Sequence, residues 1–301
     1  MKYDYLNRIS EIIKSADTAE IEKGRRIQPT LIYNEGWMLR LVLDWFESHD
    51  NDWIKKKESR INKDELKPVL ELHKNLKKQD TSWFSEAEVE SPFLVGTGRE
   101  GYTHADAVFG TVKLETGTKG KVVPIRDANP KQLVIVEAKM YSNFSSGVKN
   151  CPGYNQIARN YACLSWISFK YNIPPENCFL YIFLPKSQNE KISEGSKKNK
   201  NAQKENIFNK VVIRGAVNER SKNFAFPTES DKSQYDNWQG FWEDEKNAPA
   251  LEVINWETIL AYINEPNLIK FYIKCIENNR PEQKTKKLKD YIEEVKKISR
   301  N

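Results

Sequence analysis

The sequence predicts an α/β protein, a central mixed sheet flanked by helices. Three observations lead there. Leu133 to Met140 opens on a solid apolar run, Cys178–Leu184 (CFLYIFL) is apolar throughout, and an amphipathic segment from about Tyr154 to Tyr171 lies between them. Unbroken apolar runs of strand length mark strands covered on both faces, and a helix between two of them is the unit that builds a parallel pair. Of the 301 residues 30% are charged and 11% aromatic, eight of them Trp, which is the composition of a folded chain rather than a disordered one.

Residues 1–33 read as a helical lead-in, with Tyr5, Ile9, Ile12 and Ile13 on one face and a turn closing at Pro29. The core spans 34–185. It opens with Asn34 as an N-cap and a stripe of Trp37, Met38, Leu41, Val42, Trp45 and Phe46 at helical spacing. A charged insertion over about 50–80 is expected to be helical, with Leu66, Val69, Leu70 and Leu76 as its thin apolar face. Near residue 86 the pattern turns to strands punctuated by Pro and Gly: Tyr102 to Phe109, a hairpin over Thr111–Ile125 around the Gly117–Gly120 turn, then Leu133 to Met140. Pro174 and Pro175 close the following helix ahead of the second buried strand. Residues 186–301 form the third region, packed on the core. A Lys/Asn-rich loop over 186–209 leads to a strand over Lys210–Val217. An irregular acidic stretch over 223–250 follows, pinned by Trp238, Phe241 and Trp242, then helices at roughly 256–264, 267–278 and 283–299.

Several function classes drop out. No apolar run has the length of a membrane span and the charged N-terminus has no signal-peptide character, so a cytoplasmic protein with no membrane partner is expected. Cys151, Cys163, Cys178 and Cys275 are widely spaced, and with three His they suit reduced thiols better than a zinc site. Gly96, Gly98 and Gly101 spell a dinucleotide motif, but a strand follows where the phosphate cradle needs a helix. No G-x-S-x-G is present. The formal charge of +6 is concentrated: residues 186–222 hold ten Lys/Arg against four Asp/Glu. Lys197, Lys198, Lys200, Lys204 and Lys210 there are either contacts for a phosphate backbone or a solvated basic loop.

One constellation carries chemistry. Glu137-Ala138-Lys139 ends the apolar strand Leu133-Val134-Ile135-Val136, and alternation puts Glu137 and Lys139 on one face. Asp106 lies on the preceding strand, with Tyr102, His104 and Val108 expected on its own side. Two carboxylates and an ammonium converging at the end of a buried sheet are costly unless compensated. A divalent cation compensates them, and hard oxygens from Asp106, Glu137 and the Ala138 carbonyl suit Mg²⁺. The same E-x-K spacing at Glu65/Lys67, Glu282/Lys284 and Glu294/Lys296 falls in amphipathic helices and lacks the buried strand. Glu35, at the start of the Trp37–Phe46 helix, either faces the sheet or simply interacts with the helix dipole. Gln156 opens the next helix, where it serves the site or is solvated.

Together these residues resemble the PD-(D/E)XK nuclease superfamily: Glu35 on a leading helix, Asp106 on a strand, Glu137-x-Lys139 on the next strand and Gln156 on the helix after it. The resemblance covers roughly residues 30–185. It departs from the superfamily at Ala105, where proline is common. In the Gln-x-x-x-Tyr subgroup the tyrosine would fall at Asn160, with Tyr161 one place late. The resemblance implies a restriction-endonuclease-like core and Mg²⁺-dependent hydrolysis of phosphodiesters, with Mn²⁺ able to substitute. Asp106 and Glu137 would hold the metal together with the Ala138 carbonyl and Glu35. Lys139 would orient the attacking water, and Gln156 would position water or phosphate. Tyr161 would support these residues from behind, and His104, on the Asp106 face, either does the same or is an ordinary strand histidine. The substrate implied is DNA, in a restriction or bacterial defence setting, with a homodimer or a partner protein. The alternative is a catalytically silent nuclease fold that binds nucleic acid or a protein.

Overall fold

A computed structural model describes residues 32–49, 62–94, 100–129, 131–145, 151, 153–198, 206–222, 224–280 and 286–298. The helix expected in residues 1–33 lies outside them, as do Gly96 and Gly98.

Two helices come first, α1 (Glu35–Ser48) and α2 (Lys63–Leu76). Asn34 caps α1 as its sequence position suggests, its side chain accepting from Trp37 N at 3.0 Å. Strands β1 (Ser82–Val89) and β2 (Thr103–Gly110) follow, then the small hairpin β3 (Val112–Leu114) and β4 (Val122–Pro124), then β5 (Leu133–Ala138). Helix α3 (Gln156–Tyr171) crosses over to β6 (Cys178–Leu184). The rest comprises α4 (Lys186–Lys198), α5 (Lys210–Lys222), α6 (Glu229–Glu243), β7 (Ala250–Asn255), α7 (Trp256–Ile263), α8 (Pro266–Asn279) and α9 (Lys286–Ile298).

The main sheet runs β1-β2-β5-β6-β7, antiparallel across β1, β2 and β5 and parallel across β5, β6 and β7. It is therefore a five-stranded mixed sheet with helices on both faces. One face packs on α1, α2, α7, α8 and α9 through residues such as Phe46, Leu72, Trp256 and Tyr272. The other packs on α3, α5 and α6 through Tyr154, Ile157, Trp238 and their neighbours. Burial on both faces explains why β5 and β6 read as solid apolar runs.

The third region differs from expectation in four places. Residues 186–198 form a helix, not a loop: their polar composition hides a good set of helix formers, and Gln188 N and Asn189 N both bond to Pro185 O to start it. Lys210–Val217 is helical, not a strand. Its β-branched run imitates one, but Ile213 and Val217 bury at a spacing of four while Val211 is 74% exposed. The acidic stretch is ordered as α6, capped by Thr228 and pinned by Tyr235, Trp238 and Trp242 at helical spacing. The extra strand instead comes from Ala250–Asn255, so this region contributes to the sheet itself. Among the described residues, no helix is long and apolar enough to cross a membrane.

Candidate active site

The site forms where β2 parts from β5. Pairing between them runs from Gly110↔Leu133 to Ala107↔Val136 and stops there. One residue further on, Asp106 stands across from Glu137. Its carboxylate replaces the missing ladder bond, Oδ2 accepting from Ala138 N at 2.7 Å. Strand alternation does not carry through this point, contrary to the sequence reading. Ala107 and Phe109 pack on the α1 face of the sheet, whereas Ala105, an even number of residues away, packs on the α3 face. His104 consequently lies on the exposed side of β2, 3.8 Å from Glu88 Oε1, and among the described residues no hydrogen bond or ion pair joins it to Asp106, Glu137 or Lys139.

Glu137 and Lys139 do share a face. Lys139 Nζ donates to Glu137 Oε1 and lies 3.8 Å from Asp106 Oδ2. Glu137 is fully buried and Lys139 is 7% exposed. Burial, with the Asp106 charge acting in the same direction and Lys139 against them, raises the Glu137 pKa to about 8. Burial alone would lower the pKa of Lys139, but the charges of Glu137 and Asp106 outweigh it and hold the amine as an ammonium. The Phe144 ring lies 5.7 Å from that ammonium.

The second oxygen of Glu137 is held by a residue the sequence reading set aside. Asn160 Nδ2 donates to Glu137 Oε2 at 2.8 Å from a fully buried position on α3. It follows Gln156 by one helical turn, so a search for polar residues on that face of α3 finds it. Tyr161 points the other way, its hydroxyl donating to Pro249 O at 2.8 Å. Gln156 stays at the rim, its Oε1 accepting from Ser145 N at 3.3 Å and its own N–H bonding to Ser145 O. Trp256 was likewise not signalled by sequence spacing. Its indole N–H donates to Lys139 O at 3.1 Å, while Lys139 N donates to Phe183 O, which fixes the lysine backbone from both sides.

Glu35 reaches the same neighbourhood from the first turn of α1. Its Oε1 accepts from Ser142 Oγ at 3.1 Å, in the loop after β5, and its charge helps raise the Lys139 pKa. Among the described residues no hydrogen bond or ion pair joins it to Asp106 or Glu137. Of the basic candidates, Lys197 and Lys198 end α4, and Lys200 and Lys204 lie outside the described residues. Lys210 donates to Pro249 O at 2.9 Å, just before β7 begins. Because β7 runs parallel to β6 and β5, that is the end of the sheet away from Glu137.

The donor set suits Mg²⁺. Among the described residues no three His, Cys, Asp or Glu side chains gather into a cage, but this ion typically takes only one or two carboxylates and keeps its waters or substrate phosphates. Asp106 and Glu137 are hard oxygen donors, and the chain carbonyl of Ala138 lies between Glu137 and Lys139. Glu137 is raised first by burial and then by the Asp106 charge, both of which a bound cation would offset. No family model, curated protein or solved structure matches the chain.

Proposed function

We propose that the chain is a metal-dependent nuclease of restriction-endonuclease-like fold that hydrolyses phosphodiester bonds in DNA, serving restriction or another bacterial defence task. The observation that carries this reading is the convergence of Asp106, Glu137 and Lys139 at the point where β2 and β5 separate. A bound Mg²⁺ would acidify a water and offset charge on the scissile phosphate. Asp106, Glu137 and the Ala138 carbonyl are the residues that would hold it, with Glu35 as a further carboxylate nearby. Asn160 orients the Glu137 carboxylate and stabilises its ionised form through a charge-assisted hydrogen bond. Lys139, kept protonated by its two acidic neighbours, orients the attacking water and stabilises negative charge developing on the phosphate. Its backbone, held between Phe183 and Trp256, limits where that ammonium can go.

Plasmid cleavage by purified protein with Mg²⁺ or Mn²⁺ tests the reading. Cleavage by wild type and its loss in Asp106→Ala and Lys139→Ala are expected. Cleavage that persists in both variants removes these residues from the mechanism. Wild-type protein that binds no Mg²⁺ in a calorimetric titration and cuts nothing points to the nucleic-acid-binding or interaction module instead.

A further inference from the structure

We propose that Glu86 is a positioning residue of this site, setting the break in the sheet that turns the Asp106 carboxylate toward Ala138 and Lys139. The significance of that carboxylate rests on the nuclease reading; the geometry does not. Five described non-glycine residues have positive φ, and Asp80, Tyr141, Asn172 and Asn264 lie in turns, bends or helix caps. Glu86, at φ +53°, alone lies inside a strand. Left-handed backbone is costly for a residue with an unbranched acidic side chain, and it persists only where the surroundings impose it.

The surroundings here are the site itself. The pairs Ser85↔Ala107 and Ala87↔Ala105 flank Glu86 and Asp106, which face each other with no ladder pair between them. Both strands change face at that point. Trp83 packs on the α1 side and Ala87 on the α3 side, just as Ala107 and Ala105 do across from them. A regular strand would keep all four on one face. The reversal at Glu86 therefore accompanies the reversal at Asp106, and it frees β2 from β5 so that Asp106 Oδ2 can take the Ala138 N–H.

Backbone freedom alone would favour glycine at this position. The glutamate adds a tie to α1: its Oε1 lies 3.5 Å from Arg40 Nη2, and Arg40 also donates to Ser85 Oγ at 2.9 Å and stacks over Trp37. Arg40 belongs to the helix that begins with Glu35. One residue thus links the helix bearing Glu35 to the strand bearing Asp106.

Three variants of the full chain separate these roles. Glu86→Gly keeps the left-handed backbone and removes the carboxylate, Glu86→Val makes that backbone unfavourable, and Glu86→Gln removes only the charge. Hydrogen exchange at the Ala138 amide in metal-free protein reports the Asp106 bond directly, and calorimetry reports Mn²⁺ affinity. Glu86→Gly and Glu86→Gln are expected to keep Ala138 protection. Glu86→Val is expected to lose it by about tenfold and to bind Mn²⁺ about tenfold more weakly, while amides in β6 stay protected. Where the valine variant does not fold, Glu86→Thr makes the same comparison with a smaller, polar β-branched side chain. Unchanged Ala138 protection in the valine or threonine variant overturns the proposal, as does equal loss in the glycine variant. Wild type that neither binds Mn²⁺ nor cuts DNA removes the nuclease reading, and Ala138 exchange still decides the role of Glu86.

Discussion

Replacing Glu137 with glutamine probes the electrostatics of the site without any substrate. The carboxyl has a pKa of about 8 in the folded chain against 4.5 ordinarily. Between those values the folded state binds more protons than the unfolded state, so stability falls as pH rises through the window. At about 1.36 kcal/mol per pKa unit, the fall from about pH 5 to about pH 8 reaches up to roughly 4 kcal/mol. Lys139 does not mask it. Its raised pKa adds stability that is fully present below 10.5, hence constant over this range. With an unfolding entropy of about 2.1 cal/mol/K per residue, a chain of 301 residues shifts its Tm by about 1.6 °C per kcal/mol. Melting curves in chelator should therefore show wild type losing up to about 6 °C more than Glu137→Gln across that window. Saturating Mg²⁺, which favours the ionised carboxylate, should recover much of the loss in wild type and little in the variant. Parallel melting of the two proteins at all pH values would refute the assignment of Glu137 as a buried acid whose ionisation the fold opposes.

Three further outcomes follow from the same geometry. Asn160→Ala removes the donor to Glu137 Oε2; a hydrogen bond to a charged group contributes about 1.5–3 kcal/mol, so Mn²⁺ affinity measured by calorimetry should fall by roughly tenfold or more. Gly110→Ala should unfold at markedly lower denaturant, costing about 3 kcal/mol or more, because φ is +135° and a Cβ there would lie 2.3 Å from Gln132 O. Glu257 is raised to about 7 by burial despite bonds from Tyr272 and Lys186 N. Its cost to stability therefore grows as pH rises from 4.5 to about 7, by up to roughly 3 kcal/mol, and Glu257→Gln should flatten the Tm profile over that interval by up to about 5 °C.

What the sequence disclosed about the fold tracks which signals are local. The apolar runs of β5 and β6, the N-cap at Asn34 and the C-terminal helices were readable because burial on two faces, or on one helical stripe, leaves a direct periodic mark. Residues 186–255 were misread because composition and periodicity conflict there. Val211 and Val212 resemble a strand while the buried positions Ile213 and Val217 follow a helix, and β7 carries only Ile254 as a fully buried apolar residue. The site was legible as residue types on two strands and illegible in its details. Period-two alternation put His104 beside Asp106, but a single left-handed residue on the neighbouring strand reverses the faces, and nothing in the letters around Glu86 announces it. Asn160 was visible as a departure from an expected tyrosine, and its contact with Glu137 gives that departure a physical meaning.

The placement of Trp256 and Ile254 changes how the C-terminal third relates to the chemistry. Asp106 and Glu137 come from β2 and β5 and Lys139 directly follows β5, so residues 34–185 contain every charged group that the proposed mechanism uses. They do not contain all that holds those groups. β7 pairs with β6 from Phe179↔Ala250 to Leu184↔Asn255, and its end delivers the Trp256 indole to the Lys139 carbonyl. Glu257, the next residue, accepts from Lys186 N at the exit of β6 and from the Tyr272 hydroxyl on α8. The loop after Lys139 is fixed from the same side: Tyr141 N donates to Gln188 Oε1, and Gln188 Nε2 donates to Ser142 O. Ser142 in turn donates to Glu35. A lysine at the open end of a strand would otherwise sample many positions, since its side chain has large rotamer entropy and its strand ends there. The third region converts that mobile end into a fixed one, so it belongs to the site by the hydrogen bonds it makes to the backbone of Lys139 and its loop rather than by any charge it contributes.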